Sequence, residues 1–91
     1  MGDASAMSNL AFMYENGESV RQDEKTAAKW YTRAAELGSE VASLNLARLY
    51  ESGRGVRQDA AVALRWYRSV IGSTKPLLAR EARSGVDRLS R

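Results

Sequence analysis

The sequence predicts an all-α chain: two helix-turn-helix units in series, closed by a single C-terminal capping helix. Three observations carry this. The chain repeats itself at a constant spacing of 36 residues. Each copy holds two apolar stripes at helical period, bounded by capping residues. One amphipathic segment follows the second copy.

The repeat is explicit in the residues. Asn9-Leu10-Ala11, Tyr14-Glu15 and Gly17 return as Asn45-Leu46-Ala47, Tyr50-Glu51 and Gly53. Val20-Arg21-Gln22-Asp23 returns as Val56-Arg57-Gln58-Asp59, and Trp30-Tyr31 as Trp66-Tyr67. Aligning 6–34 with 42–70 gives 14 identities in 29 positions.

The first helix of each unit is expected where Ala6, Leu10, Met13 and Tyr14, and then Ala42, Leu46, Leu49 and Tyr50, form one face. Asp3 and Ser39 sit where an N-cap belongs, and Gly17 and Gly53 where a left-handed C′ residue ends the helix. Asp23 and Asp59 are N-caps for the second helices. Their stripes are Ala27, Trp30, Tyr31, Ala34 and Ala63, Trp66, Tyr67, Val70, with Gly38 closing the first of them. The aromatic residues of these stripes are expected to fill the core between helix pairs.

After Gly72-Ser73-Thr74 no third copy of the pattern follows. Residues 75–91 place Leu78, Ala82, Val86 and Leu89 on one face and Arg80, Arg83, Asp87 and Arg91 away from it. Pro76 suits a first helical turn and Thr74 a cap. A lone amphipathic helix after a last repeat covers its exposed core. The expected units are residues 2–38, 39–74 and 75–91. Gly2 falls in the register of Gly38, so the sequence opens on a repeat boundary. It reads as the C-terminal piece of a longer repeat protein, with an uncapped first repeat open to self-association.

With 91 residues there is room for one small domain; 44% hydrophobic and 27% charged side chains are ordinary for a globular chain. The absence of Cys and His removes thiol nucleophiles, disulfides, imidazole bases and nearly every transition-metal site, so no cofactor and no metal is expected. No apolar run approaches the ~18 residues of a membrane span, and the opening residues lack a signal-peptide pattern; the compartment stays open. The net charge of +3 is uneven. Residues 1–45 hold four basic and seven acidic side chains, residues 46–91 ten and four.

At these residues the pattern is familiar. Ala6, Leu10, Ala11, Tyr14, Gly17, Val20, Asp23, Ala27, Trp30-Tyr31, Ala34-Ala35 and Gly38 resemble the Sel-one-like repeat, a relative of the tetratricopeptide repeat. Ala42, Leu46, Ala47, Tyr50, Gly53, Gly55, Val56, Asp59, Ala63 and Trp66-Tyr67 repeat the match. Ala11 and Ala47 replace the family's usual Gly, Ser19 stands where Gly55 keeps the second loop Gly, and Val70-Ile71 replaces the Ala-Ala pair. The lack of Cys sets the chain outside the family's cysteine-rich branch. The resemblance implies a right-handed superhelix of helix pairs, a bacterial origin and a role as adaptor or scaffold in protein complexes.

Candidate binding residues are those left free of packing. By analogy with tetratricopeptide superhelices, Ser5, Asn9, Phe12 and Asn16 join Val41, Asn45, Arg48 and Ser52 in a concave groove for a protein or peptide. The change from Phe12 to Arg48 marks a position without packing demands, and Asn9 and Asn45 suit hydrogen bonds to an extended peptide backbone. The alternative role for these side chains is local helix packing. No residue is expected to be catalytic. Gly53-Arg54-Gly55 lacks the Lys and Ser/Thr of a phosphate loop. Arg54, Arg57, Arg65, Arg68, Arg80, Arg83, Arg88 and Arg91 offer an alternative: nucleic-acid or anionic-surface binding through the basic half. Interspersed Glu51, Asp59, Glu81 and Asp87, and the lack of interleaved aromatics, disfavour nucleic acid.

Overall fold

The helices form where capping side chains meet apolar stripes. The computed structural model describes residues 3–91, and the register expected for Gly2 lies outside them. Five helices follow one another: α1 (Ala4–Asn16), α2 (Glu24–Glu36), α3 (Glu40–Ser52), α4 (Ala60–Arg68) and α5 (Pro76–Leu89). Among the described residues there is no strand. The first four start on the expected caps, whose side chains accept from otherwise orphaned N–H groups. Asp3 accepts from Ser5 (2.9 Å), Asp23 from Thr26 (3.1 Å), Ser39 from Ala42 (3.1 Å) and Asp59 from Ala61 (3.0 Å). α1 and α3 end on Gly17 and Gly53 at φ 72° and 74°, the left-handed region that favours glycine.

The start of α5 corrects one expectation. Its N-cap position is Lys75, with no side-chain cap, and Thr74 plays no such part. The nearby hydroxyl that works is Ser73, which accepts from the Lys75 N–H (3.1 Å) and donates to Glu40 of α3 (3.0 Å). Pro76 in the first helical turn has no N–H to satisfy, so less capping is needed.

Each helix packs chiefly on its neighbours in the chain, α1 on α2, α2 on α3, α3 on α4 and α4 on α5. That is a helical solenoid, two helix pairs and a terminal helix. Two cores result. The first gathers buried alanines of α1, α2 and α3 with Tyr31, Leu46 and Leu49; the second joins Leu44, Ala47, Ala63, Tyr67, Val70 and Ala82. Tyr50 and Trp66 border both.

The Trp-Tyr pairs divide the labour unequally. Tyr31 (0% exposed) and Tyr67 (1%) are fully buried, whereas Trp30 and Trp66 are only partly buried at the margin of the core. This corrects the expectation that all four rings lie hidden. Adjacent residues on a helix point about 100° apart, so both cannot face the centre of one interface. The Arg33 guanidinium lies over Trp30, 5.4 Å from the ring centroid.

The spacing persists where sequence identity ends. α1, α3 and α5 begin at residues 4, 40 and 76, so α5 occupies the place of a third first helix. Leu78, Ala82 and Gly85 stand where α3 has Ala42, Leu46 and Leu49. The other side of α5 has no following helix among the described residues, and there Arg80 and Arg83 replace the buried Leu44 and Ala47. α1 differs: Ala6 is exposed and Leu10 and Met13 half-buried, although Ala42, Leu46 and Leu49 at the same positions are buried under α2.

Candidate functional site

One face of α1, α3 and α5 is left to solvent. Positions spaced i, i+4, i+7 and i+11 share a helix face, and in α1 these are Ser5, Asn9, Phe12 and Asn16. In α3 they are Val41, Asn45, Arg48 and Ser52, and in α5 Leu77, Glu81, Ser84 and Arg88. All are exposed except Asn45, which is half-buried. The sequence reading reached the first eight and missed the four of α5. The missing signal was the 36-residue spacing itself, carried past the end of residue identity.

This face carries apolar groups that burial has not claimed. The exposed large apolar residues among those described are Phe12 (49%), Leu37 (56%), Val41 (46%), Ile71 (37%) and Leu77 (70%). Phe12, Val41 and Leu77 lie on the face just defined, one on each helix. A cavity of about 620 Å³ opens beside it, lined by Ser5 and Asn9 of α1, the turn from Leu37 to Val41, and Lys75. A second, of about 300 Å³, lies between α3 and α5 and is lined by Arg48, Tyr67, Arg80, Glu81, Ser84 and Arg88.

The polar candidates are engaged to different degrees. The Asn16 amide donates to the Phe12 carbonyl (3.0 Å) and the Ser52 hydroxyl to the Arg48 carbonyl (2.8 Å), each within its own helix. Arg48 donates to Asn45 Oδ1 (3.1 Å) and pairs with Glu81 of α5. Asn45, Arg48 and Glu81 are thus brought together across two helices.

Beneath the face, each core tyrosine is tied to a glutamate and an arginine. Tyr31 donates to Glu15 and Tyr67 to Glu51, both at 2.7 Å. Arg54 then pairs with Glu15 (3.2 Å), and Arg88 with Glu51 (2.7 Å). Burial, and then the neighbouring carboxylate, pushes the Tyr67 hydroxyl up to about 12. The same two causes raise Tyr31. The Arg88 hydrogen bond holds Glu51 below the usual carboxylate range, against its partial burial. The causes of these shifts are the burial and the Tyr–Glu–Arg hydrogen bonds just described. Among the described residues no group of acidic side chains is placed to hold a metal ion, and no helix is long and apolar enough to cross a membrane.

The Sel1 repeat family model matches residues 4–39 and 41–69. The chain belongs to the Sel1 repeat family. Its structure is similar to that of a Sel1 repeat protein from Oxalobacter formigenes, with a TM-score of 0.83 and 34% identity over 91% of this chain. It is also similar to c5321, a protective antigen of uropathogenic Escherichia coli with an SLR fold, at a TM-score of 0.72 and 28% identity over 97% of this chain. This Sel1 repeat chain spans 62% of the first of those chains and 23% of the second. Both neighbours are bacterial, in keeping with the origin that the family resemblance implies. No curated protein sequence matches the chain. Sel1 repeats are in general protein–protein interaction modules.

Proposed function

We propose that the chain is a non-catalytic scaffold segment that binds a protein or peptide across the shared face of α1, α3 and α5. One observation carries the reading: Phe12, Val41 and Leu77 remain exposed on that face while Ala11, Ala42 and Ala82 of the same three helices are buried. Apolar side chains at the centre of an interface supply most of its binding free energy, and polar neighbours such as Asn9, Asn45 and Arg48 set register around them. Asn16 and Ser52, bonded to their own helices, contribute shape. Partial exposure of Leu10 and Met13 on α1 supports a further contact there, with another repeat or a second copy.

The test is affinity capture with the intact parent protein and with its Phe12→Ser, Val41→Ser double variant. Proteins retained by the former and lost by the latter, at an unchanged melting temperature, support the reading. Equal retention by both refutes this face. For α1, a Leu10→Glu, Met13→Glu variant should shift any concentration-dependent association in sedimentation; without such a shift the second-copy contact is discarded.

A further inference from the structure

We infer that the cavity between α3 and α5 receives the carboxylates of an acidic peptide segment, an inference that rests on the protein-binding reading above. Arg48, Arg80 and Arg88 line this cavity against a single lining carboxylate, Glu81. The three arginines are not equivalent. Arg88 is committed, since Nε and Nη2 both hold Glu51, which in turn holds Tyr67. Arg48 and Glu81 form a pair whose side chains are 50% and 52% exposed. Water screens such a pair, so an incoming carboxylate displaces Glu81 from Arg48 at little cost.

Arg80 is the decisive residue. Among the described residues it makes no ion pair, and it stands where α3 places the buried Leu44. Even so, Arg80 is one of the residues that line the cavity, and among the described residues no carboxylate pairs with it. Two forked guanidiniums on the walls of one cavity match the planar, bidentate geometry of carboxylates. Nucleic acid fits less well, because its bases call for stacking platforms. The one aromatic in the lining, Tyr67, is buried with its hydroxyl engaged, and the exposed Phe12 sits on α1. Glu81 is then a built-in competitor that an acidic ligand has to outdo.

The test uses the full chain and a fluorescein-labelled oligo-glutamate peptide, read by fluorescence anisotropy at low and high salt, with oligo-uridylate as the second arm. Arg80→Gln should weaken peptide binding about tenfold, the loss of one charge-assisted contact. Glu81→Gln should strengthen it several-fold by freeing Arg48. Arg21→Gln and Glu36→Gln, exposed positions outside the cavity, make the same net charge changes and should leave the affinity unaltered. The inference is overturned if the peptide does not bind, if Arg80→Gln behaves like Arg21→Gln, if Glu81→Gln brings no gain, or if oligo-uridylate binds more tightly. Failure here, with the Phe12→Ser, Val41→Ser variant still losing its captured partner, removes the carboxylate site and leaves the protein-binding reading standing.

Discussion

Arg88, in the last turn of α5, grips both carboxylate oxygens of Glu51 on α3, at 2.7 Å from Nε and 3.0 Å from Nη2. Glu51 also accepts from the buried Tyr67 of α4, so one carboxylate joins three helices and fastens α5 to α3 and α4. Arg88→Ala should lower stability by roughly 1 kcal/mol, a modest loss because the arginine is half exposed. Arg88→Lys keeps the charge but loses the fork, and should recover only part of that loss. Thermal melts of the three proteins check the ranking; an Arg88→Ala chain melting like the parent would show that the cap is held by packing alone.

Tyr67 gives the chain an alkaline limit. Its hydroxyl titrates near 10 when unfolded and is pushed up to about 12 in the fold, by burial first and Glu51 second. Between those values the unfolded chain has released the proton and the native one retains it, so stability falls as pH rises. Tyr31 is raised by burial and then by Glu15, and adds to the effect. Melting temperature should therefore drop from pH 10 to 12, and Tyr67→Phe should flatten that drop while lowering stability at neutral pH. A Tyr67→Phe profile parallel to the parent's would contradict the assignment.

The fold was largely legible because the sequence states it twice. Asp3, Asp23, Ser39 and Asp59 are local signals, since capping needs only a short polar side chain before an apolar stripe, and all four cap as expected. What could not be read depended on neighbours. Thr74 and Ser73 look alike in sequence, and only the position of Glu40 selects Ser73. Trp30 and Tyr31 are both apolar and adjacent; which one reaches the centre depends on the rotation of α2 against α3. For the candidate face, helical spacing on α1 and α3 was enough. Glu81, Ser84 and Arg88 were hidden because α5 keeps the position of a first helix without keeping its residues.

Unequal burial within the Trp-Tyr pair sets the cost of truncation. Tyr67→Ala removes a ring that is 1% exposed and strands Glu51 without its hydroxyl donor. A loss of about 3–5 kcal/mol, typical of large core truncations, would unfold much of a domain this small. Trp66 borders both cores but keeps solvent contact, so Trp66→Ala should cost distinctly less, despite the larger ring. Urea titrations followed by far-UV circular dichroism would reveal the order. The reverse order would place the indole, and not the phenol, at the energetic centre.

Gly55 and Ser19 occupy the same repeat position with nearly the same backbone, φ 74° and 64°, yet their surroundings differ. A Cβ on Gly55 would lie 2.2 Å from the Glu24 carbonyl oxygen, where α2 begins. Backbone cannot swing aside as a side chain can, so the loop would have to move. Arg54 next to it, 2.8 Å from the Glu24 carboxylate, would lose its place. Left-handed backbone alone costs a non-glycine residue about 1–2 kcal/mol, and Ser19, exposed to solvent, bears that cost without a collision. Gly55→Ser should thus destabilise the chain by more than this amount and weaken the α2–α3 contact. Ser19→Gly should change stability by no more than about 1 kcal/mol, relief of strain being offset by greater freedom when unfolded. Equal and small effects at the two positions would mean that the stacking of the repeats does not depend on the close approach of Gly55 to Glu24.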